Sequence, residues 1–378
     1  MHWEKKLLKN LNYRIPLLTA CLIIIGFIAV SSAGSASLTG GYMSYLRTQI
    51  AASVLGIMLL ILIIFMDYRI FKEYDIFIYA GIIFLLSFLL IVGTTVGGGT
   101  RWLTIGPVSF QPSEVAKIFM ILFLAAYLDR NSNQLDNIKG LLKSLAFVLP
   151  PFFLIVLQND LGTALVLMFI FVAMFYLAGG RARDILIVFG GVGLIFFLLI
   201  TFHLALGTPL PFLRPYQLNR LIAFVNPGID PRGIGYNIIQ ARIAVGSGML
   251  TGRGFMAGTQ SQLGFLPERH TDFIFAVISE EFGFIGVAVV LGLYFLLIWQ
   301  FIKVMCQAKD RFGFLIVTGV AAMFFFHVLE NVGMTLGIMP ITGITLPFIS
   351  YGGSSLVTSL VAIGLALNVN MRRKKIVF

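Results

Sequence analysis

Arg269, His270 and Asp272 stand directly before an apolar stretch that itself carries Glu280 and Glu281, all within "PERHTDFIFAVISEEFG" (267–283). An aspartate in that place either caps the following helix or, where Thr271 takes the cap, keeps its carboxylate for chemistry. On the side of the chain assigned below to the outer face, every basic residue is an arginine: Arg47, Arg101, Arg214, Arg220, Arg232, Arg242, Arg253 and Arg269. A guanidinium grips phosphate oxygens through a planar fork, so this choice favours a site for a lipid-linked pyrophosphate. The competing reading is a rim of arginines that pair with lipid headgroups. At least two of Arg101, Arg214, Arg220, Arg242 and Arg253 are expected to line the pyrophosphate site, with His270 beside it.

Other ionisable residues fall inside apolar runs: Glu114 and Lys117, Asp160, and His327 with Glu330. At membrane depth such groups face a bundle interior or a water-filled cavity and find partners. Glu114 and Lys117 are three apart on one helix face, which suits an ion pair; the alternative is that Lys117 meets a substrate phosphate. His327 and Glu330 share that spacing and are expected to form a hydrogen-bonded core pair. Glu280 and Glu281 are adjacent and must point to different faces.

The elements that position these groups follow from hydropathy. The chain has 378 residues, is 58% hydrophobic and only 11% charged, and its apolar runs are long enough to cross a bilayer. Stretches such as "QIAASVLGIMLLILIIFM" (49–66) are apolar on every face, which excludes the alternating pattern of a β-barrel. Spans are predicted near 16–32, 49–66, 76–93, 113–128, 145–158, 162–179, 184–205, 272–300, 313–338 and 354–370. The fold class is therefore an all-α polytopic membrane protein, a single transmembrane domain over 1–378. Ten transmembrane helices are expected, with a large extracytoplasmic loop (206–271) between spans seven and eight. The first run is read as a retained span, since no small-residue cleavage site followed by a soluble domain appears.

With both termini cytoplasmic, 18 of the 27 Lys and Arg lie inside, which fixes the orientation. The net charge of +11 then reflects topology and anionic-lipid contact, not nucleic-acid binding. Cys21 and Cys306 fall toward the cytoplasmic side, where disulfides are not expected. No Cys/His spacing suits a metal site and no GxxxxGK[ST] loop is present. "VGGGT" (96–100) reads as an exposed turn. The long outer loop contains "GYNIIQARIAVGSGML" (235–250), expected to form a short helix along the interface and part of a substrate groove.

Four segments, "QPSEVAK" (111–117), "QNDLGTA" (158–164), "PERHTDFIFAVISEEFG" (267–283) and "NVGMTLGIMPITGITLPFISYGGSS" (331–355), resemble the RodA/FtsW/SpoVE family, the SEDS proteins of bacterial cell-wall synthesis. The likeness covers essentially the whole chain, and the opening "NLNYRIPLL" is most similar to the RodA branch. The resemblance implies a peptidoglycan glycosyltransferase that polymerises lipid II, an undecaprenyl-pyrophosphate-linked disaccharide pentapeptide. It would act at the outer face of the bacterial cytoplasmic membrane during elongation. It implies Asp272 as the catalytic residue and Glu114, Lys117 and Asp160 as part of the functional core. It also implies help from a divalent cation, Mg or Mn, with ligands unassigned and no organic cofactor, and a class B penicillin-binding protein as transpeptidase partner. In such chemistry Asp272 can act as the base on the acceptor hydroxyl, with arginines or Lys117 steadying the departing pyrophosphate. The alternatives are a division or sporulation paralogue with the same chemistry, a lipid II flippase, or a scaffold. The one-sided elaboration of the outer loop and the lack of an inverted repeat speak against the flippase.

Overall fold

The computed structural model describes residues 11–35, 42–96, 99–106, 108–206, 215–230 and 233–373. In chain order the elements are α1 (Arg14–Ser35), α2 (Tyr42–Phe65), α3 (Ile70–Glu73), α4 (Asp75–Val92), β1 (Thr94–Val96), β2 (Gly99–Ile105), β3 (Val108–Phe110), α5 (Pro112–Arg130), α6 (Ile138–Leu157), α7 (Leu161–Leu177) and α8 (Ala182–Leu206). There follow α9 (Pro215–Val225), α10 (Ile234–Ser247), α11 (Thr259–Gln262), α12 (Ile274–Cys306), α13 (Arg311–Leu336) and α14 (Gly353–Met371).

Among the described residues, α1, α2, α4, α6, α8, α12, α13 and α14 are long and apolar enough to cross a membrane. Two more complete the ten. Helix α7 is apolar but 17 residues long, and α5 carries Glu114, Lys117, Asp129 and Arg130 along an otherwise apolar length. The chain is a multi-pass membrane protein. Its first and last spans meet at one face, where the Asn12 backbone N–H donates to Asn370 Oδ1 at 3.1 Å, as an even number of crossings requires.

Burial separates these helices, and mean hydropathy runs opposite to it, from 1.5 in α14 through 2.2 in α13 to 2.8 in α8. In the most apolar window of α14 89% of residues are buried, in that of α13 67%, and in that of α8 none. Helices α13 and α14 form the centre, α14 lying along α2 and α13 against α5, α7 and α12, while α8 lies at the periphery. The site is built on the two central helices.

Helix α12 departs from the continuous span expected over 272–300. Its 33 residues would measure about 50 Å, well beyond a hydrocarbon core of about 30 Å. It breaks at Gly283, with φ 62° and ψ −162°, and the residues after the break suffice to span. A loop from the long outer segment satisfies the backbone groups that the break releases. Arg253 and Gly254 N–H donate to the Glu280 and Glu281 carbonyls, both at 3.0 Å, while Phe284 and Ile285 N–H donate to the Met249 and Leu250 carbonyls at 2.9 and 3.1 Å. Irregular backbone at this depth is tolerated only where protein supplies such partners. A Cβ on Gly283 would lie 2.3 Å from Gly252 N, so the junction needs glycine for both conformation and space.

One further departure and one agreement concern the face opposite Asn12 and Asn370. Residues 94–110 form a three-stranded antiparallel sheet in the order β1-β2-β3, pairing Thr94 with Trp102 and Leu103 with Phe110. "VGGGT" thus joins two strands of a hairpin, its Gly97 and Gly98 lying outside the described residues. The helix expected within 235–250 is present as α10. Its Gly235, Ile238, Ala241 and Ala244 are buried, so it packs onto α12 and α13. Cys21 and Cys306 are both free thiols.

Candidate active site

Asp272 lies just outside α12, in a turn opened by Glu268, which adopts a left-handed φ of 47°. Thr271 and Phe273 N–H both donate to the Glu268 carbonyl, at 3.2 and 3.3 Å. The cap position of α12 is Phe273 and no side chain caps it. Neither Asp272 nor Thr271 acts as the N-cap that the sequence allowed; the Thr271 hydroxyl bonds Glu268 instead. The Asp272 carboxylate is not consumed by the helix.

Three consecutive carbonyls hold this turn. Tyr351 N–H donates to His270 O at 2.9 Å, Ser350 Oγ to Thr271 O at 2.7 Å, and Asn331 Nδ2 to Asp272 O at 2.9 Å. The donors come from α13 and from the non-helical segment 338–352, most of which is buried. Its own carbonyls are answered in turn by Arg220 on Thr342 O at 3.1 Å, Asn331 on Ile344 O at 2.7 Å, His327 on Thr345 O at 3.1 Å and the Tyr294 hydroxyl on Pro347 O. Such bookkeeping makes the segment a rigid support rather than a loose connection. Gly343, at φ 79°, is part of it, and a Cβ there would lie 3.2 Å from Asp272 Oδ2. A glycine here leaves the carboxylate room.

The environment of Asp272 pushes its pKa up from 3.8 to about 6. Burial is the main cause and the Glu268 charge adds to it, while the Thr271 hydroxyl and the Arg220 and Arg101 guanidiniums oppose the rise. The residue still keeps partial contact with solvent. A carboxylate of this kind is ionised at neutral pH yet basic enough to take a proton. His270 stacks on Tyr45 with centroids 4.7 Å apart, and burial pushes its pKa below the ordinary 6.5, so it is neutral at pH 7.

Of the arginines singled out from sequence, two act electrostatically on Asp272. Arg101, on β2, donates to the Asn159 carbonyl and leaves its buried Nε without a partner among the described residues. Arg220, on α9, is held on Thr342 O. Arg242 instead donates to Gly337 O at the end of α13 at 2.9 Å, and Arg253 to the Thr259 hydroxyl at 3.0 Å, beside the Glu280 carboxylate that accepts the Gln260 and Ser261 N–H groups at 2.8 and 3.0 Å. Arg214 lies outside the described residues. Glu280 and Glu281 do point apart, Glu281 receiving the Ser32 hydroxyl and Gln262 Nε2.

Beneath the turn lies a second polar layer. Asp160 caps α7 through Thr163 N–H at 3.2 Å and also accepts from Gln111 Nε2 at 3.0 Å and Ser113 Oγ at 3.2 Å, tying α7 to the start of α5. Lys117 pairs with Glu114 at 2.8 Å and also reaches His327 Nε2 at 2.9 Å. The expected His327–Glu330 pair is not formed: Glu330 accepts from Thr342 Oγ1 at 2.8 Å, and His327 turns to Lys117. Because a carbonyl only accepts, the His327 ring donates from Nδ1 to Thr345 O, which leaves Nε2 to accept from Lys117. Glu114, Lys117 and His327 therefore form one chain that ends on the segment supporting Asp272.

Asn331, Thr342, Gly343, Ser350 and Tyr351, all within the 331–355 stretch, carry roles that their residue types and spacing did not reveal. The available signal was composition, a Gly-, Pro- and Thr-rich interruption at membrane depth that must find backbone partners. Among the described residues no three His, Cys, Asp or Glu side chains gather to hold a metal.

The chain as a whole is similar to known proteins. The FtsW/RodA/SpoVE family, described as "Cell cycle protein", matches residues 13–375. The peptidoglycan glycosyltransferase RodA of Treponema pallidum (strain Nichols) is 37% identical over 428 residues, covering 96% of this chain and 98% of that protein. The peptidoglycan glycosyltransferase MrdB of Escherichia coli (strain K12) is 34% identical, covering 94% of each. A chain from a solved peptidoglycan synthase complex that coordinates polymerization and crosslinking superposes with a TM-score of 0.80 at 31% identity, covering 96% of this chain and 98% of that one. A family match across nearly the full length, with the same fold beneath it, means that the chain belongs to the FtsW/RodA/SpoVE family.

Proposed function

We propose that the protein is a peptidoglycan glycosyltransferase that polymerises lipid II in the manner of RodA, with Asp272 as general base. The observation that carries this reading is Asp272 itself: an uncapped, partly buried carboxylate, held through its own backbone and its neighbours', with a pKa raised to about 6. The carboxylate takes the proton of the acceptor sugar hydroxyl as that oxygen bonds to the anomeric carbon of the donor. The bond from that carbon to the pyrophosphate breaks, and the undecaprenyl pyrophosphate leaves with the electron pair. Arg101 and Arg220, both close enough to act on Asp272, steady the departing charge. Lys117 and Asp160 position the segment and helix ends around them. The decisive experiment incubates purified protein with labelled lipid II and compares polymer on a gel for wild type and Asp272→Asn.

A divalent cation fits between Glu268 and Asp272. Glu268 and Asp272 repel each other, and Mg or Mn held by these two carboxylates and substrate phosphates would relieve that repulsion. When bound, it supplies charge neutralisation at the pyrophosphate. A class B penicillin-binding protein is the partner this reading supports, since the solved relative is part of a complex that also crosslinks.

Each arginine can be tested separately. Arg101→Lys and Arg220→Lys keep the charge but lose the fork, so each is expected to lower polymerisation by about 10- to 100-fold, the worth of a hydrogen bond to a charged group. Unchanged rates in both would return them to the role of rim charges.

The site opens to the outside of the cytoplasmic membrane, with both termini cytoplasmic. Ala257 is exposed on the outer loop, whereas Gly258 is buried, so Ala257→Cys is the better probe. In intact cells it is expected to react with an impermeant thiol reagent, while the exposed native Cys306 reacts only after lysis. The opposite labelling order reverses the orientation.

A further inference from the structure

From the face that holds both chain ends, we infer a binding site for a phosphate-bearing anion, filled by the headgroup of an anionic phospholipid. A cavity of about 400 Å³ opens there where α1, α12 and the end of α14 meet. Arg14, Lys303 and Arg373, one from each of these regions, line it together with Asn12, Gln300 and Gln307, and no Asp or Glu does so among the described residues. Three cations facing one concavity without a carboxylate repel one another unless an anion joins them.

The hydrogen bonding points the same way. Gln300 Oε1 is already taken by Asn12 Nδ2 at 3.1 Å, and Gln307 Oε1 by Arg373 Nη1. Both amide oxygens already accept, while Arg373 Nε is buried with no partner among the described residues, as is Asn370 Nδ2 one turn earlier. A water or apolar group leaves the charge uncompensated; a phosphate oxygen satisfies both charge and donor.

A lipid suits the surroundings better than a free ion. Tyr13 and Trp299 flank the cavity with 68% and 45% of their surfaces exposed, as aromatic residues at a membrane interface do, and Lys303 lies 5.5 Å from the Trp299 ring centroid. Below them Leu17 on α1 and Phe295 on α12 are exposed, a path along which acyl chains can lie. Basic pockets between spans on the cytoplasmic side bind anionic headgroups in this way. Naming that side cytoplasmic rests on the orientation proposed above; the binding does not.

Native mass spectrometry of the purified full-length protein tests the site, with added dioleoylphosphatidylglycerol or dioleoylphosphatidylcholine. The anionic lipid is expected to be retained and the zwitterionic one lost. Arg14→Gln and Lys303→Gln, whose side chains hold no other element in place, should each weaken retention about fivefold, and the pair about 25-fold. Lys143→Gln, which removes an exposed charge elsewhere on the same side, should change nothing. Excess inorganic phosphate distinguishes the sources: displacement of the lipid headgroup assigns a free phosphate ion as ligand, and resistance assigns the lipid. Wild type alone gives a second measure, since only the anionic lipid should raise its melting temperature. Equal retention of both lipids, or equal losses in Lys303→Gln and Lys143→Gln, overturns the site.

Discussion

Asp272→Asn is expected to reduce lipid II polymerisation by about 10²- to 10⁴-fold, the usual contribution of a general base, while the protein stays folded and inserted. The separation of function from fold follows from how the residue is held. Tyr351, Ser350 and Asn331 all bond main-chain carbonyls of residues 270–272, so an isosteric side chain leaves the support untouched. The same substitution should raise thermal stability. The folded-state pKa of about 6 lies above the value of about 3.9 for an unfolded aspartate, so the folded protein holds the proton more tightly. The ionised carboxylate therefore opposes folding above about pH 6, and this opposition is absent below about pH 4. At neutral pH its removal stabilises by up to about 3 kcal/mol. In wild type, kcat/KM should fall as pH drops through about 6, because the protonated acid cannot accept a proton. Asp272→Glu moves the carboxylate toward Gly343 and should lose much of the rate without the gain in stability. An Asn variant with near-normal polymerisation and an unchanged melting temperature would remove Asp272 from the reaction.

What could be read from sequence, and what could not, divides by the range of the interactions. The ten spans were legible because hydropathy over about 20 residues is a local property, and the Glu114–Lys117 pair because three residues bring two side chains onto one face. The break in α12 was not legible. "SEEFGF" continues a helical pattern, and a lone glycine is tolerated within a helix; the groups that make the break stable, on residues 249–254, lie some thirty positions earlier. His327 shows the limit of local spacing more sharply. Neighbours on one helix gain only about 0.2–0.5 kcal/mol from each other, whereas leaving the Lys117 ammonium short of a partner in the interior costs several times that. The contact 210 residues away in sequence therefore wins. Asp272 itself was found through its motif, but the reason it is an effective base was hidden. Its position depends on Asn331, Ser350 and Tyr351, and its basicity on burial first and then on Glu268, with Arg220 and Arg101 holding it back.

Lys117→Met is expected to destabilise the protein by about 3–5 kcal/mol, because it leaves the Glu114 carboxylate buried without its counter-charge. Glu114 has only a small fraction of its surface exposed and Lys117 almost none, so solvent screening cannot make up the loss as it would for a surface pair. A simple ion pair would be restored by reversing it, as Glu114→Lys with Lys117→Glu. Here the reversal should fail. A carboxylate at position 117 faces His327 Nε2, which has no proton to offer while Nδ1 donates to Thr345 O, so two acceptors meet in the interior. Adding His327→Gln supplies an amide N–H to the new carboxylate, and the triple variant should regain much of the melting temperature that the double variant lost. If the double variant alone recovers stability, Lys117 serves only Glu114 and the link through His327 to the support of Asp272 is not needed. If the triple variant folds but still does not polymerise lipid II, Lys117 has a role in the reaction beyond holding the segment.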